Sequence, residues 1–221
     1  MPHPNCTGST FEPQSHAPSR AWSTSHMTTH DPNDALPESG DRLFVSSDWA
    51  FDAHLIGDPA ERFYRLPHGY KQAGDALVLR ASAEPRERAN LIYPAIFNYR
   101  QAIELWLKKL IKDYGSGVVM PAALKRNPGH NLADLWSRFS AICADRGSIV
   151  QPHFDAAKVL VHEMHDADEV NDCFRYAADA KSNPFAFGDR NVDLENLYRR
   201  MGALTNFFEL KDYEFQGQAD R

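Results

Sequence analysis

The chain predicts an all-α fold, a four- or five-helix bundle, and three observations carry that reading. The segment 93–114, YPAIFNYRQAIELWLKKLIKDY, repeats apolar residues at three- and four-residue intervals, so Ile96, Tyr99, Ile103, Leu107, Leu110 and Tyr114 share one stripe. A second repeat near the C-terminus, Leu194, Leu197, Met201, Leu204 and Phe208, has heptad-like spacing. Strand signals are confined to short pieces near 43–46 and 173–187.

Residues 1–40 hold six of the fourteen prolines, many Ser, Thr and His, and few apolar residues. Such a stretch buries too little surface to offset its ordering entropy, and it reads as a disordered tail. Its histidines, His3, His16, His26 and His30, read as solvated. The helical domain is placed at 41–215. From Leu43 the composition changes, and Leu43, Phe44, Val45, Trp49, Phe51 and Leu55 mark the start of folding. A helix is predicted over 69–82 despite Gly74, followed by a charged loop over 84–90 carrying Pro85.

The central helix, 93–114, should stop at the glycines of GSG. Tyr93, Phe97 and Ile111 widen its apolar stripe, and Arg100 and Glu104 fall inside the widened stripe. Buried charges are costly unless paired, so these two should meet each other or partners from another helix. A loop with Pro121 and Pro128 leads to a helix capped by Asn131, with Asp134 three residues on and a stop at Gly147. A further helix spans 153–168 after Pro152, the stretch CFRYAADAKSNPFAFG reads as irregular or extended, and a last helix runs over 192–210.

With 221 residues, 43% hydrophobic and 24% charged, the chain has the composition of one ordinary soluble domain, and it lacks the roughly 18 consecutive apolar residues of a membrane span. A net charge of −6 argues against a surface built throughout for nucleic acid. The N-terminus lacks a secretory pattern, which points to the cytoplasm. Cys6, Cys143 and Cys173 are odd in number and widely spaced, so they read as free thiols rather than a disulfide frame or zinc site. His162, Glu163 and His165 form HExH rather than HExxH, and no metal or cofactor is expected. Phosphate-binding glycine loops and a GxSxG elbow are missing from the sequence.

Four polar residues border strongly apolar segments: Arg100, Glu104, His130 and Arg175. An arginine offers a donor fork to phosphate, a histidine passes a proton near neutral pH, and a glutamate orients either one. The structural alternative has Glu104 bridging Arg100 and Lys108, His130 helping to cap its helix, and Arg175 neutralising Asp168 or Asp172.

The segment FNYRQAIELWLKKLI (97–111), followed by GHNLADLWSRF (129–139) and FRYAADAKSNPF (174–185), resembles the HEPN superfamily of small helical bundles over roughly residues 70–210. The resemblance implies homodimerisation and a metal-independent endoribonuclease or RNA-binding component of a toxin–antitoxin or defence system. Its partners would be RNA and an antitoxin or other protein, with no membrane. Catalytic members carry an arginine and a histidine with four to six residues between them, paired across the dimer. Arg20 with His26, Arg62 with His68, and Arg146 with His153 match that spacing. Arg126 and His130 are one residue too close. Arg146 and His153 are the best match by location, as the expected catalytic pair, although Gly147 follows Arg146 where the family has a polar residue. His130 matches the family's GHxL turn. The competing expectation is a noncatalytic, homodimeric protein-interaction module.

Overall fold

The computed structural model describes residues 36, 37, 39–45, 52–120, 129–185, 187 and 191–219. The chain divides into two units, Met1–His54 and Leu55–Arg221, and the five α-helices among the described residues belong to the second. They are α1 (Pro59–Ala83), α2 (Arg88–Tyr114), α3 (Leu132–Asp145), α4 (His153–Ala167) and α5 (Leu194–Ala219). Among the described residues β structure is limited to one isolated antiparallel bridge, Ala178 with Pro184, inside the stretch expected to be irregular or extended. Among the described residues no helix is long and apolar enough to cross a membrane.

Most of the proposed tail, with its four histidines and Arg20, lies outside the described residues, as do Cys6, Trp49, Phe51, Pro121, Arg126 and Pro128. Leu43, Phe44 and Val45, expected to begin the folded domain, are exposed. Among the described residues regular structure begins at α1. Pro59 stands in its first turn, where a missing N–H costs nothing, and the Asp58 carboxylate accepts from the N–H groups of Ala60 and Glu61. The helix is ten residues longer at its start than the spacing predicts. Pro67, a break signal in sequence, is buried within it, so packing retains a helix that proline alone would interrupt.

The charged loop over 84–90 is a single 3-10 turn, Pro85–Glu87, and α2 starts directly at Arg88. The charges explain the economy. Arg80 and Glu87 pair across the turn, and Arg88 donates from Nε to the carbonyl of Ala81, capping an orphan carbonyl of α1. The resulting α1–α2 hairpin is the most extensive helix contact. Gly74 permits its close approach: a Cβ there would stand 2.6 Å from the ring of Tyr99, whose hydroxyl donates to Asp75 at 2.9 Å.

Helix α2 also packs against α3 and α5, so burial extends well beyond one stripe, to Ala95, Ala102, Trp106 and Lys109. It ends at Tyr114 as expected, although Gly115 has φ −84° and the left-handed residue is Gly117. Helix α3 is capped by the Asn131 side chain, which accepts from the Asp134 N–H at 2.9 Å. It closes with Gly147 at φ +63°, the Ser148 N–H reaching the Cys143 carbonyl and the Gly147 N–H the Ala144 carbonyl. Trp136 and Phe139 of α3 meet Phe154 of α4 and Phe207 of α5 in an aromatic cluster. Helix α5 continues nine residues past Leu210 because Lys211, Asp212 and Phe215 are anchored in the body of the fold.

Gly74→Ala should therefore destabilise the protein. About 1 kcal/mol gained in helix propensity is outweighed by overpacking of about 2–3 kcal/mol against a tethered ring. Urea unfolding of the variant should show a net loss of about 1–2 kcal/mol, and an unchanged or higher midpoint would contradict the tight crossing.

Candidate functional site

Arg100, Glu104 and His130 converge. One turn of α2 separates the first two, and the guanidinium of Arg100, fully buried, donates from Nη1 to Glu104 Oε2 at 3.1 Å. Its Nη2 donates to the main-chain carbonyl of His130 at 2.9 Å, and its Nε to the main-chain carbonyl of Asp168 at 3.1 Å. The Asp168 carboxylate, also buried, faces the same Nε with Oδ2 at 3.5 Å and accepts the Asp172 and Cys173 N–H groups with Oδ1. One arginine thus ties together α2, the turn before α3 and the turn after α4. Asp168, which sequence reading offered to Arg175, belongs to Arg100.

Glu104 is the second hub. Its Oε1 accepts from Lys108 Nζ at 2.7 Å and pairs with His130 Nδ1 at 2.8 Å. Burial pushes this carboxyl up, but the bonds and charges of Lys108 and His130 outweigh burial and hold it below the usual carboxylate range. An ionised carboxylate only accepts, so His130 Nδ1 carries a hydrogen, and whenever the imidazole is neutral its lone pair lies on Nε2. The His130 side chain is 62% exposed and that of Lys108 31%, so both reach solvent above a buried anion. Asn131, not His130, caps α3.

Arg175 stands outside this network. It donates from Nε to the Asn171 carbonyl at 2.7 Å and pairs with Asp172, as the structural alternative expected for one of its two carboxylates. Its guanidinium lies 5.8 Å from the Phe97 ring centre and 5.1 Å from that of Tyr176. Asn171, at φ +66°, occupies a left-handed position that Asn tolerates better than most residues, and its side chain accepts from Gln101 of α2 at 2.8 Å.

Arg146 and His153 bracket the α3–α4 connection. Arg146 follows α3, donates to the Tyr114 carbonyl at 3.4 Å and lies over the rings of Tyr114 and Phe215 at 5.4 and 5.2 Å. His153 opens α4 and is exposed. Among the described residues no hydrogen bond or ion pair joins the two. His68 faces Glu209 at 3.6 Å and packs edge-on against Trp106. No group of three or more His, Cys, Asp and Glu side chains is placed to hold a metal among the described residues. Cys143 and Cys173 are free thiols, and burial pushes Cys143 up to about 12.

Sequence reasoning missed a second buried polar cluster. Lys109 Nζ meets Asp212 Oδ1 at 2.6 Å, the Tyr114 hydroxyl donates to the same oxygen at 2.7 Å, and Lys211 reaches Ser148 Oγ at 2.7 Å and Glu214 at 2.8 Å. The one available signal was Lys109 itself, set between Leu107 and Leu110 on a face continuous with the stripe. A shallow groove lined by Ser82, Arg88, Asp193 and Glu195 offers no comparable chemistry, since Arg88 is already spent on the end of α1. No family model, curated protein or solved structure matches the chain.

Replacing Arg100 by Leu would leave the buried Asp168 carboxylate without its cation and Glu104 with only Lys108 and His130, and should cost about 3–5 kcal/mol in urea unfolding. Because folding lowers the Glu104 pKa, its contribution is complete above the ordinary carboxylate range and is lost as pH falls through the lowered value. Unfolding midpoints followed from pH 7 to about pH 3 should drop, and Glu104→Gln should show a shallower drop than wild type. Equal slopes would mean that Glu104 is not an ionised hub.

Proposed function

We propose that this chain is an HEPN-like helical protein that cleaves RNA without a metal ion, as a toxin or defence component acting in a homodimer. The observation that supports cleavage is the His130–Glu104–Lys108 corner. A buried carboxylate fixes the imidazole tautomer, its free nitrogen is open to solvent, and an ammonium stands on the same carboxylate. In the proposed step, His130 Nε2 takes the proton of a ribose 2′-hydroxyl as that oxygen bonds to phosphorus. The bond from phosphorus to the 5′ oxygen breaks, and the departing oxygen takes a proton from solvent. Lys108 offsets the charge that grows on the phosphoryl oxygens. The products are a 2′,3′-cyclic phosphate and a 5′-hydroxyl.

A second reading, a noncatalytic homodimeric interaction module, is favoured by a different observation. The guanidinium of Arg100 is fully buried on protein oxygens and is not open for a phosphate, and that of Arg146, half-buried, lies over the rings of Tyr114 and Phe215. On that reading Arg100, Glu104 and His130 are a lock that has kept the bundle rigid.

His130→Ala separates the two readings. Arg100 uses the His130 carbonyl rather than its ring, so the variant keeps the lock and should remain folded by circular dichroism. Labelled total RNA incubated in EDTA should be cleaved by wild type and about 10²–10⁴-fold more slowly by the variant. Loss only in folded Arg146→Ala or His153→Ala would move the site to that pair. No cleavage by any folded preparation would favour the interaction module.

A further inference from the structure

Beside the His130 corner, the same flank of α2 carries an aromatic surface that the proposed chemistry does not use. Tyr93 and Phe97, one turn apart, continue through Gln101 and Glu104 to Lys108 at three- and four-residue steps. The 174–187 segment supplies the rest. Phe187 meets Tyr93 at 5.7 Å between ring centres and stacks on Phe174 at 5.1 Å, while Arg175 lies over Phe97 and Tyr176. Tyr93, in contact with Phe187, is 46% exposed, and Tyr176, joined to the patch through the Arg175 guanidinium, is 57% exposed. The platform is held still by the Gln101–Asn171 and Arg175–Asn171 hydrogen bonds.

We infer that the aromatic platform of Tyr93, Tyr176 and Arg175 is a base-stacking site that holds single-stranded RNA with its backbone directed to the His130 corner. This rests on the ribonuclease reading and specifies the substrate class of that site. Three physical points select this occupant. Asp172 neutralises much of the Arg175 charge, so the surface offers flat faces more than free positive charge, and faces suit bases. A chain of net charge −6 gains little from phosphate attraction, so affinity has to come from stacking. Helix geometry puts Tyr93 roughly 16 Å from Glu104 along α2, within reach of a short stretch of single strand. The two half-exposed tyrosines present far less than the roughly 800 Å² per partner of a stable dimer. A duplex is excluded as ligand because its bases are stacked on one another.

Binding is measured with a fluorescent, 2′-O-methylated oligoribonucleotide, which has no free 2′-hydroxyl and so separates binding from cleavage. Fluorescence anisotropy should show the full-length chain binding the single strand and binding its annealed duplex weakly. Tyr93→Ala and Tyr176→Ala should each weaken binding by roughly five- to a hundredfold, and Tyr176→Phe should restore it. Equal binding by wild type and both alanine variants, equal binding of duplex, or no binding by wild type would each overturn the platform. A Tyr176→Ala variant that loses dimerisation while wild type ignores RNA would assign the patch to a second copy and also overturn it. The EDTA cleavage assay judges the ribonuclease reading separately, so the two can fail independently.

Discussion

A charge without access to water has to be satisfied by the groups around it, and in this bundle the guanidinium of Arg100 imposes that condition on three segments at once. Its contacts reach Glu104 one turn along α2, the His130 carbonyl before α3 and the Asp168 carbonyl after α4. Two of the three are main-chain oxygens. The arginine therefore fixes where two connections pass rather than only pairing with a side chain. Moving either connection would strand a donor in the interior, which costs more than a typical hydrogen bond contributes.

The same constraint shapes the chemistry at the surface. Glu104 is buried because Arg100 is, and it stays ionised because Lys108 and His130 reach in from solvent to share its charge. An inward lock thereby yields an outward imidazole of defined tautomer. The turn tied by Asp168 in its turn places Asn171, Arg175 and Tyr176 beside α2, so one buried arginine organises both the histidine corner and the aromatic surface next to it.

The far end of the bundle repeats the logic with different residues. Lys109, Asp212 and the Tyr114 hydroxyl meet in the interior, and Lys211 is taken up by Ser148 and Glu214. These contacts hold the last turns of α5 against α2 and the end of α3. Arg146 lies over the rings of Tyr114 and Phe215 at the same end.

Several elements were legible from local chemistry alone. The central helix and its stop near Gly115, the Asn131 cap, the Gly147 ending of α3 and the helix after Pro152 all follow from spacing and capping within a few residues. So did the need to satisfy Arg100 and Glu104, because a charge inside an apolar stripe announces itself by position. What sequence left open was decided by contacts distant in the chain. Pro67 could be read as a break because the packing that keeps α1 helical is contributed by α2, and α5 outran its stripe because its polar end is anchored by Lys109, Tyr114 and Ser148. Periodicity records that a face is buried but not how many neighbours bury it, so α2 looked one-sided while three helices surround it. The partners of Arg100 and Arg175 were likewise invisible: a carboxylate or carbonyl tens of residues away becomes a neighbour only once the helices are packed, and that packing belongs to the tertiary structure.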